Sequence, residues 1–300
     1  MNGKINNVEQ LCSVRKLEFI DGKEKGRQIL VVNNGVLSFI VLLDKCMDIY
    51  EFRHKGMNLT YISKGGLMGN EGDFIDTFPG GLIYTCGLEV VGNRTPMHGS
   101  IHNKMASITN IKNDGNELVI EGEVVTTGLF KDHLVLKRII KTSYMSDTVV
   151  VDTIIENRGY KKASYCLLLH MNIGYPFLDD GLKINAPIVS TTPRDMNAKN
   201  HIGECLKMND NIDITDEQVF YHKVKEGRIE LVNEKVKKSL LFEYDHNMFE
   251  HFIEWKSLAS GDYALGIEPS TTTLDGEFQL KDIEVLSSHC YKMKITAKDI

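Results

Sequence analysis

Apolar and polar residues alternate with a period of two along most of this chain, and nothing else in it constrains the fold as strongly. "NELVIEGEVV" (116–125), "HLVLKRIIKTSY" (133–144) and "TVVVDTIIENRG" (148–159) carry the pattern clearly. In an extended chain successive side chains point to opposite faces, so each segment has one face to bury and one to solvate. "MSD" (145–147) predicts a hairpin loop between the last two, and "NNG" (33–35) predicts another tight turn. The pattern continues at "ASYCLLLHMNI" (163–173), "RIELVNE" (228–234), "KSLLFEYDH" (238–246), "HFIEWKSL" (251–258), "YALGIEPS" (263–270) and "SHCYKMKITA" (288–297). Long amphipathic helices are absent. Short helices are expected at 195–207 and 215–224, the second with Thr215 and Gln218 at capping-box spacing. Strands at such regular intervals predict an all-β chain, a mostly antiparallel sandwich or barrel. With no Pro- or Ser-rich linker, one domain over 1–300 is expected.

Composition narrows the function. The net charge of -6 argues against a nucleic-acid surface, which would be basic. No apolar run reaches the roughly 18 residues of a membrane span, and the first residues lack an apolar signal-peptide core. A cytoplasmic location is the expectation. None of the six cysteines forms a C-x-x-C pair, and Cys86, Cys166 and Cys290 lie in apolar stretches, so reduced core cysteines are expected. The charged run "KDHLVLKR" (131–138) reads as a solvated face.

Three stretches could carry chemistry. In "SYCLLLHMNIGYPFL" (164–178) an apolar run delivers His170 near a predicted strand end, where clefts form. In "DYALGIEPSTT" (262–272) alternation puts Ala264, Gly266 and Glu268 on one face, so two small residues leave open space beside a carboxylate, while Pro269 is expected to end the ladder. "FPGGLIYTCGLEVVGNRTPMHGSIHNKMA" (78–106) holds glycines suited to tight turns or close backbone approach, together with His98 and His102. That pair has i, i+4 spacing, but the surroundings are loop-like and H-E-x-x-H is missing, so no metal is expected. Phosphate-cradling glycine motifs are also missing.

Together, "GGLIYTCGL…HGSI", "LLLHMNIGYPFL" and "WKSLASGDYALGIEPST", in that order, resemble the galactose mutarotase-like (aldose 1-epimerase) superfamily, and within it a poorly characterised aldose-epimerase-like branch. The resemblance implies a single large β-sandwich and a small-molecule sugar as partner. It implies His170 as catalytic acid, Glu268 as catalytic base and His98 as a sugar-binding residue. The cleft is expected to include Arg94, Asn172, Tyr175 and Trp255, with Tyr175, Phe177 and Trp255 as candidates to stack on the sugar. The acid and base tips are expected to flank one ring, roughly 5–9 Å apart by analogy with paired carboxylates. Mutarotation opens and recloses the C1–O5 bond by proton transfer alone, so no cofactor is implied. Two departures stand out: Ser100 where the family has arginine, and Lys45-Cys46 where it has a basic–glycine pair. Two other readings remain open: a different sugar isomerase on the same scaffold, and a carbohydrate-binding protein without turnover. The oligomeric state is not legible.

Overall fold

The computed structural model describes residues 3–69, 72–210, 217–276 and 278–300. Its strands form three antiparallel sheets. A five-stranded meander opens the chain: Ser13–Glu18, Gln28–Asn33, Leu37–Leu42, Asp48–His54 and Met57–Asn58. An eight-stranded sheet runs in spatial order Lys183–Asn185, Gly227–Asn233, Lys238–Tyr244, Ser288–Asp299, Thr148–Asn157, Leu134–Ser143, Glu117–Thr126 and Ser107–Asn113. A seven-stranded sheet runs Ile188–Pro193, Gln218–Val224, His251–Ser257, Ala264–Ser270, Ala163–Ile173 and Lys281–Ile283, with Tyr84–Leu88 also paired to Ala163–Ile173. Among the described residues the α-helices are short, Phe74–Thr77 and Met196–Asn200.

Alternation explains these sheets. Gly227–Asn233 buries every second residue, as a strand with one solvated face must. Val149, Val151 and Ile155 of the eight-stranded sheet share one core with Leu167, Leu169, Met171, Leu265 and Ile267 of the seven-stranded sheet. Leu30, Phe39 and Phe52 of the meander join it. Each such Leu, Ile or Phe contributes roughly 1.5–3 kcal/mol on burial. The apolar run in Ala163–Ile173 is continuous because both of its faces are covered. Cys166 and Leu168 face away from that core, into a second cluster with Tyr84, Cys86, Val219 and Ile253. His170 continues this outer row.

Several expectations need correction. Residues 218–224 form a strand, not a helix, paired to His251–Ser257. Val219 and Phe220 serve opposite faces there, so the sheet absorbs the segment, and Thr215 lies outside the described residues. The segment 195–207 is helical only in pieces, Met196–Asn200 and the 3-10 turn Ile202–Glu204, with Asp195 accepting from the Ala198 N–H at the first. Cys290 is exposed, because alternation in Ser288–Asp299 turns Tyr291, Met293 and Ile295 inward instead. Arg138 is fully buried despite its charged neighbourhood. Its guanidinium donates to Asp48 Oδ1 and Thr85 Oγ1, both at 2.8 Å, while the Thr85 N–H donates to Asp48 Oδ2 at 2.7 Å. That clamp joins one strand from each of the three sheets.

Candidate active site

The outer face of the seven-stranded sheet floors a cavity of about 900 Å³. His98, His170, Trp255 and Glu268 line it. Strand register brings the central pair together. Leu168 pairs with Ser270 and Met171 with Ile267, which sets His170 beside Glu268 on adjacent strands. His170 is therefore inside a strand that runs on to Ile173, not at its end. Pro269 does not end its strand either; it faces Phe252, and pairing continues at Ser270. Gly266 leaves the room: a Cβ there would lie 2.7 Å from Glu268 Oε1, 3.0 Å from His170 Cε1 and 3.2 Å from Trp255 Cβ.

His170 Nε2 lies 3.0 Å from Glu268 Oε1. The expected separation of a full sugar ring is thus wrong. That analogy came from carboxylates on opposite sides of a glycosidic bond. The two oxygens that exchange protons in mutarotation are both bonded to one carbon, so adjacent groups suffice. His170 Nδ1 and both Glu268 oxygens are buried without an aligned hydrogen-bond partner among the described residues. Unmet buried polar atoms are costly, and both residues that carry them line the cavity. Burial, then the neighbouring His98 imidazole, hold His170 well below the ordinary imidazole value, opposed by Asn172. Burial, then the Glu217 carboxylate, push Glu268 well above the ordinary carboxylate value, opposed by Arg194. Each group is thereby driven to its neutral form.

His98 sits with its ring centroid 6.0 Å from that of His170, and burial lowers it to about 4. Gly99 puts it there. At φ +78 its missing Cβ would stand 2.2 Å from the Gly87 carbonyl oxygen, so only glycine lets the loop lie on the strand. The Gly87 N–H donates to the His98 carbonyl at 2.8 Å. His102 follows on a 3-10 turn, stacked 5.1 Å from Tyr84, so the histidine pair does not share an α-helical face. Phe74 and Phe78 wall this side, at 4.7 Å from His98 and 5.5 Å from His170 respectively.

Other predicted residues fall outside the lining. Arg94 spends its guanidinium on the carbonyls of Val91, Leu274 and Gly276 and covers the Phe278 ring at 4.5 Å, so it braces a wall. Asn172 is fully buried and donates to the carbonyls of Gly81 and His170 at 3.0 and 2.8 Å, which supports the strand beneath His170. Tyr175 is 71% exposed and Phe177 belongs to the inner core, so neither is placed to stack on a ligand in the cavity. Ser100 donates its hydroxyl to Glu89 at 2.6 Å. Cys46 adopts φ +56, the left-handed backbone that a glycine would take without strain.

Sequence reading missed Arg194 and Glu217, which also line the cavity. Arg194 Nη2 and Trp255 Nε1 each donate to the Glu217 carboxylate at 2.6 Å. Both missed residues sit beside strands rather than in them, where periodicity carries no signal. Lys64 donates to Asp262 at 2.8 Å elsewhere on the lining.

Solved structures share the architecture. A candidate aldose 1-epimerase from Klebsiella pneumoniae subsp. pneumoniae MGH 78578 superposes with a TM-score of 0.86 at 20% identity, over 95% of this chain and 83% of that one. A galactose mutarotase-like protein from Clostridium acetobutylicum gives 0.70 at 11% identity, over 97% and 100%. The Slr1438 protein from Synechocystis sp. PCC 6803 gives 0.70 at 12% identity, over 96% of each chain. No curated protein sequence matches the chain. The fold is thus the galactose mutarotase-like sandwich that the sequence motifs implied. The family described as domain of unknown function DUF4432 matches residues 24–283, and the chain belongs to that family.

Proposed function

We propose that the chain is an aldose 1-epimerase, interconverting the α and β anomers of a free sugar, with Glu268 as base and His170 as acid. The observation that carries this reading is the 3.0 Å approach of the two side chains on the cavity floor, with their remaining buried polar atoms unpartnered among the described residues. The names of the Klebsiella and Clostridium structures agree with it, although likeness at that identity extends to fold alone.

Proton bookkeeping fits the reaction. A neutral imidazole beside a protonated carboxyl holds the same number of protons as an imidazolium beside a carboxylate. Burial favours the first arrangement. A bound sugar presents its anomeric hydroxyl and ring oxygen to the unpartnered atoms and makes the second accessible. The Glu268 carboxylate then takes the proton from the anomeric hydroxyl while the His170 imidazolium gives one to the ring oxygen. The C1–O5 bond opens, the aldehyde turns about C1–C2, and the ring closes on its other face. The pair has passed to its neutral form and returns on closure. General acid and base each supply roughly 10²–10⁴-fold, enough for a reaction that already proceeds slowly in water. In this reading His98 binds or polarises the sugar, and the Trp255 ring, 5.6 Å from His170, walls it.

The reading is tested by two-dimensional NMR exchange between anomers over a panel of aldoses. Enzyme-dependent cross-peaks with no deuterium entering C2 support it. Deuterium at C2 would identify a carbonyl isomerase instead, and saturable binding without exchange would identify a binding protein.

A further inference from the structure

We propose that Glu217 is the positioning residue of this site: its carboxylate fixes the indole of Trp255 and ties that wall to Arg194. The proposal rests on the active-site reading above but adds a residue that neither acid nor base chemistry requires. Glu217 sits on the rim, and its side chain is 46% exposed. An exposed ion pair such as Arg194–Glu217 adds little stability, so folding alone gives no reason for it. Its second bond is the informative one. The indole nitrogen of Trp255 can only donate, and Glu217 Oε2 accepts from it at 2.6 Å. The Trp255 ring stands edge-to-face with His170 at a centroid distance of 5.6 Å. Terminal aromatic torsions are broad, so without an acceptor the indole could swing about its stem and alter the space over His170. Glu217 removes that freedom, and Arg194 holds Glu217 from the other side at 2.6 Å.

The same carboxylate reaches the chemistry through its charge. The groups facing Glu268 are His170 on the adjacent strand, Cys86 on Tyr84–Leu88, Tyr221 on Gln218–Val224, His98 on its loop, and Arg194 and Glu217 on the rim. Glu217 is the carboxylate of that set. Its negative charge opposes ionisation of Glu268, and the paired Arg194 favours it. Removing the charge at Glu217 leaves Arg194 opposed by Asp195 alone. Glu268 then ionises more readily, and the acid limb of activity moves to lower pH.

The chain contains one tryptophan, so its indole N–H gives a single NMR signal. Its chemical shift reports on the acceptor that Glu217 provides. In Glu217→Gln, which keeps an acceptor but not the charge, the signal should move less than in Glu217→Ala, and the acid limb of kcat/KM should fall by about half a pH unit or more. In Glu217→Ala the signal should move at every pH, and KM should rise about fivefold or more with kcat changed much less. Both variants should fold, since the position is half exposed. An indole signal indifferent to Glu217→Ala would overturn the proposal, as would an unchanged KM and pH profile. If no aldose is turned over but the signal reports sugar binding that weakens in Glu217→Ala, the positioning role stands and the epimerase reading falls.

Discussion

His170 and Glu268 stand on neighbouring antiparallel strands, and Nε2 of one is 3.0 Å from Oε1 of the other. A donor and an acceptor this close reach two oxygens on one carbon, not two sides of a ring. The anomeric hydroxyl and the ring oxygen of a sugar are such a pair. Gly266 makes the arrangement sterically open, since the Cβ of any other residue would enter the space where Glu268, His170 and Trp255 meet.

Gly266→Ala should therefore damage activity more than folding. The added methyl forces Glu268 or Trp255 aside, at a stability cost of about 1–3 kcal/mol. We expect kcat/KM to fall by about tenfold or more, because misplacing a reacting group by an ångström can cost a hundredfold. Thermal melting beside anomer-exchange rates checks both halves.

The imidazole of His102 gives a pH-dependent stability. Burial, then Lys45 and His98, lower it to about 3 in the folded chain, against an unfolded value of about 6.5. Its folded value is depressed, so the unfolded chain takes the proton first. The folded state is penalised as pH falls below about 6.5 and continues to lose until about 3. His102→Gln removes this contribution. Between pH 7 and pH 5 the wild type should lose about 1–2 kcal/mol more than the variant, read from urea midpoints.

Asp48→Ala tests the clamp between sheets. It leaves the Arg138 guanidinium buried without a counter-charge, with the Thr85 hydroxyl as its remaining described acceptor, which typically costs about 3–5 kcal/mol. Adding Arg138→Met should recover part of that loss, since the double variant buries no charge. Equal denaturation midpoints for the single and double variants would show that the two charges do not depend on each other.

The lining also bears on substrate charge. Its described cations, Lys64 and Arg194, are both paired, to Asp262 and Glu217, and Asp76 and Asp275 add further carboxylates. A phosphate ester would meet like charge and find no free cation there. Sugar phosphates should be turned over about tenfold or more less efficiently than the parent sugars, with the gap narrowing at high salt. A phosphate ester that matches its parent sugar would contradict this.

Much of this arrangement was legible in the sequence because periodicity encodes facing. Gly266 and Glu268 could be placed on one side of a strand, opposite Leu265 and Ile267, and that is where they lie. His170 was found by the same logic and by its motif. Loop-borne partners were not legible. Glu217 meets Trp255 across 38 positions of chain and Arg194 across 23, and no local pattern announces either contact. Arg94 and Asn172 were visible as polar residues in suggestive motifs, but motif spacing does not say whether a side chain faces a cavity or braces a backbone. Arg138 misled because its charged neighbours reach water while it alone turns inward to Asp48.

The central claim is that His170 and Glu268 exchange protons with a sugar's anomeric centre, and one measurement tests it most directly. Anomer exchange of an accepted aldose is followed by NMR for wild type, Glu268→Gln and His170→Asn. Glu268→Gln keeps the shape of the side chain and removes the base; His170→Asn removes the acid. Because both proton transfers belong to one step, each variant should lose about 10²-fold or more in kcat while sugar binding, read from Trp255 fluorescence, is largely kept. Exchange by Glu268→Gln at the wild-type rate would contradict the account.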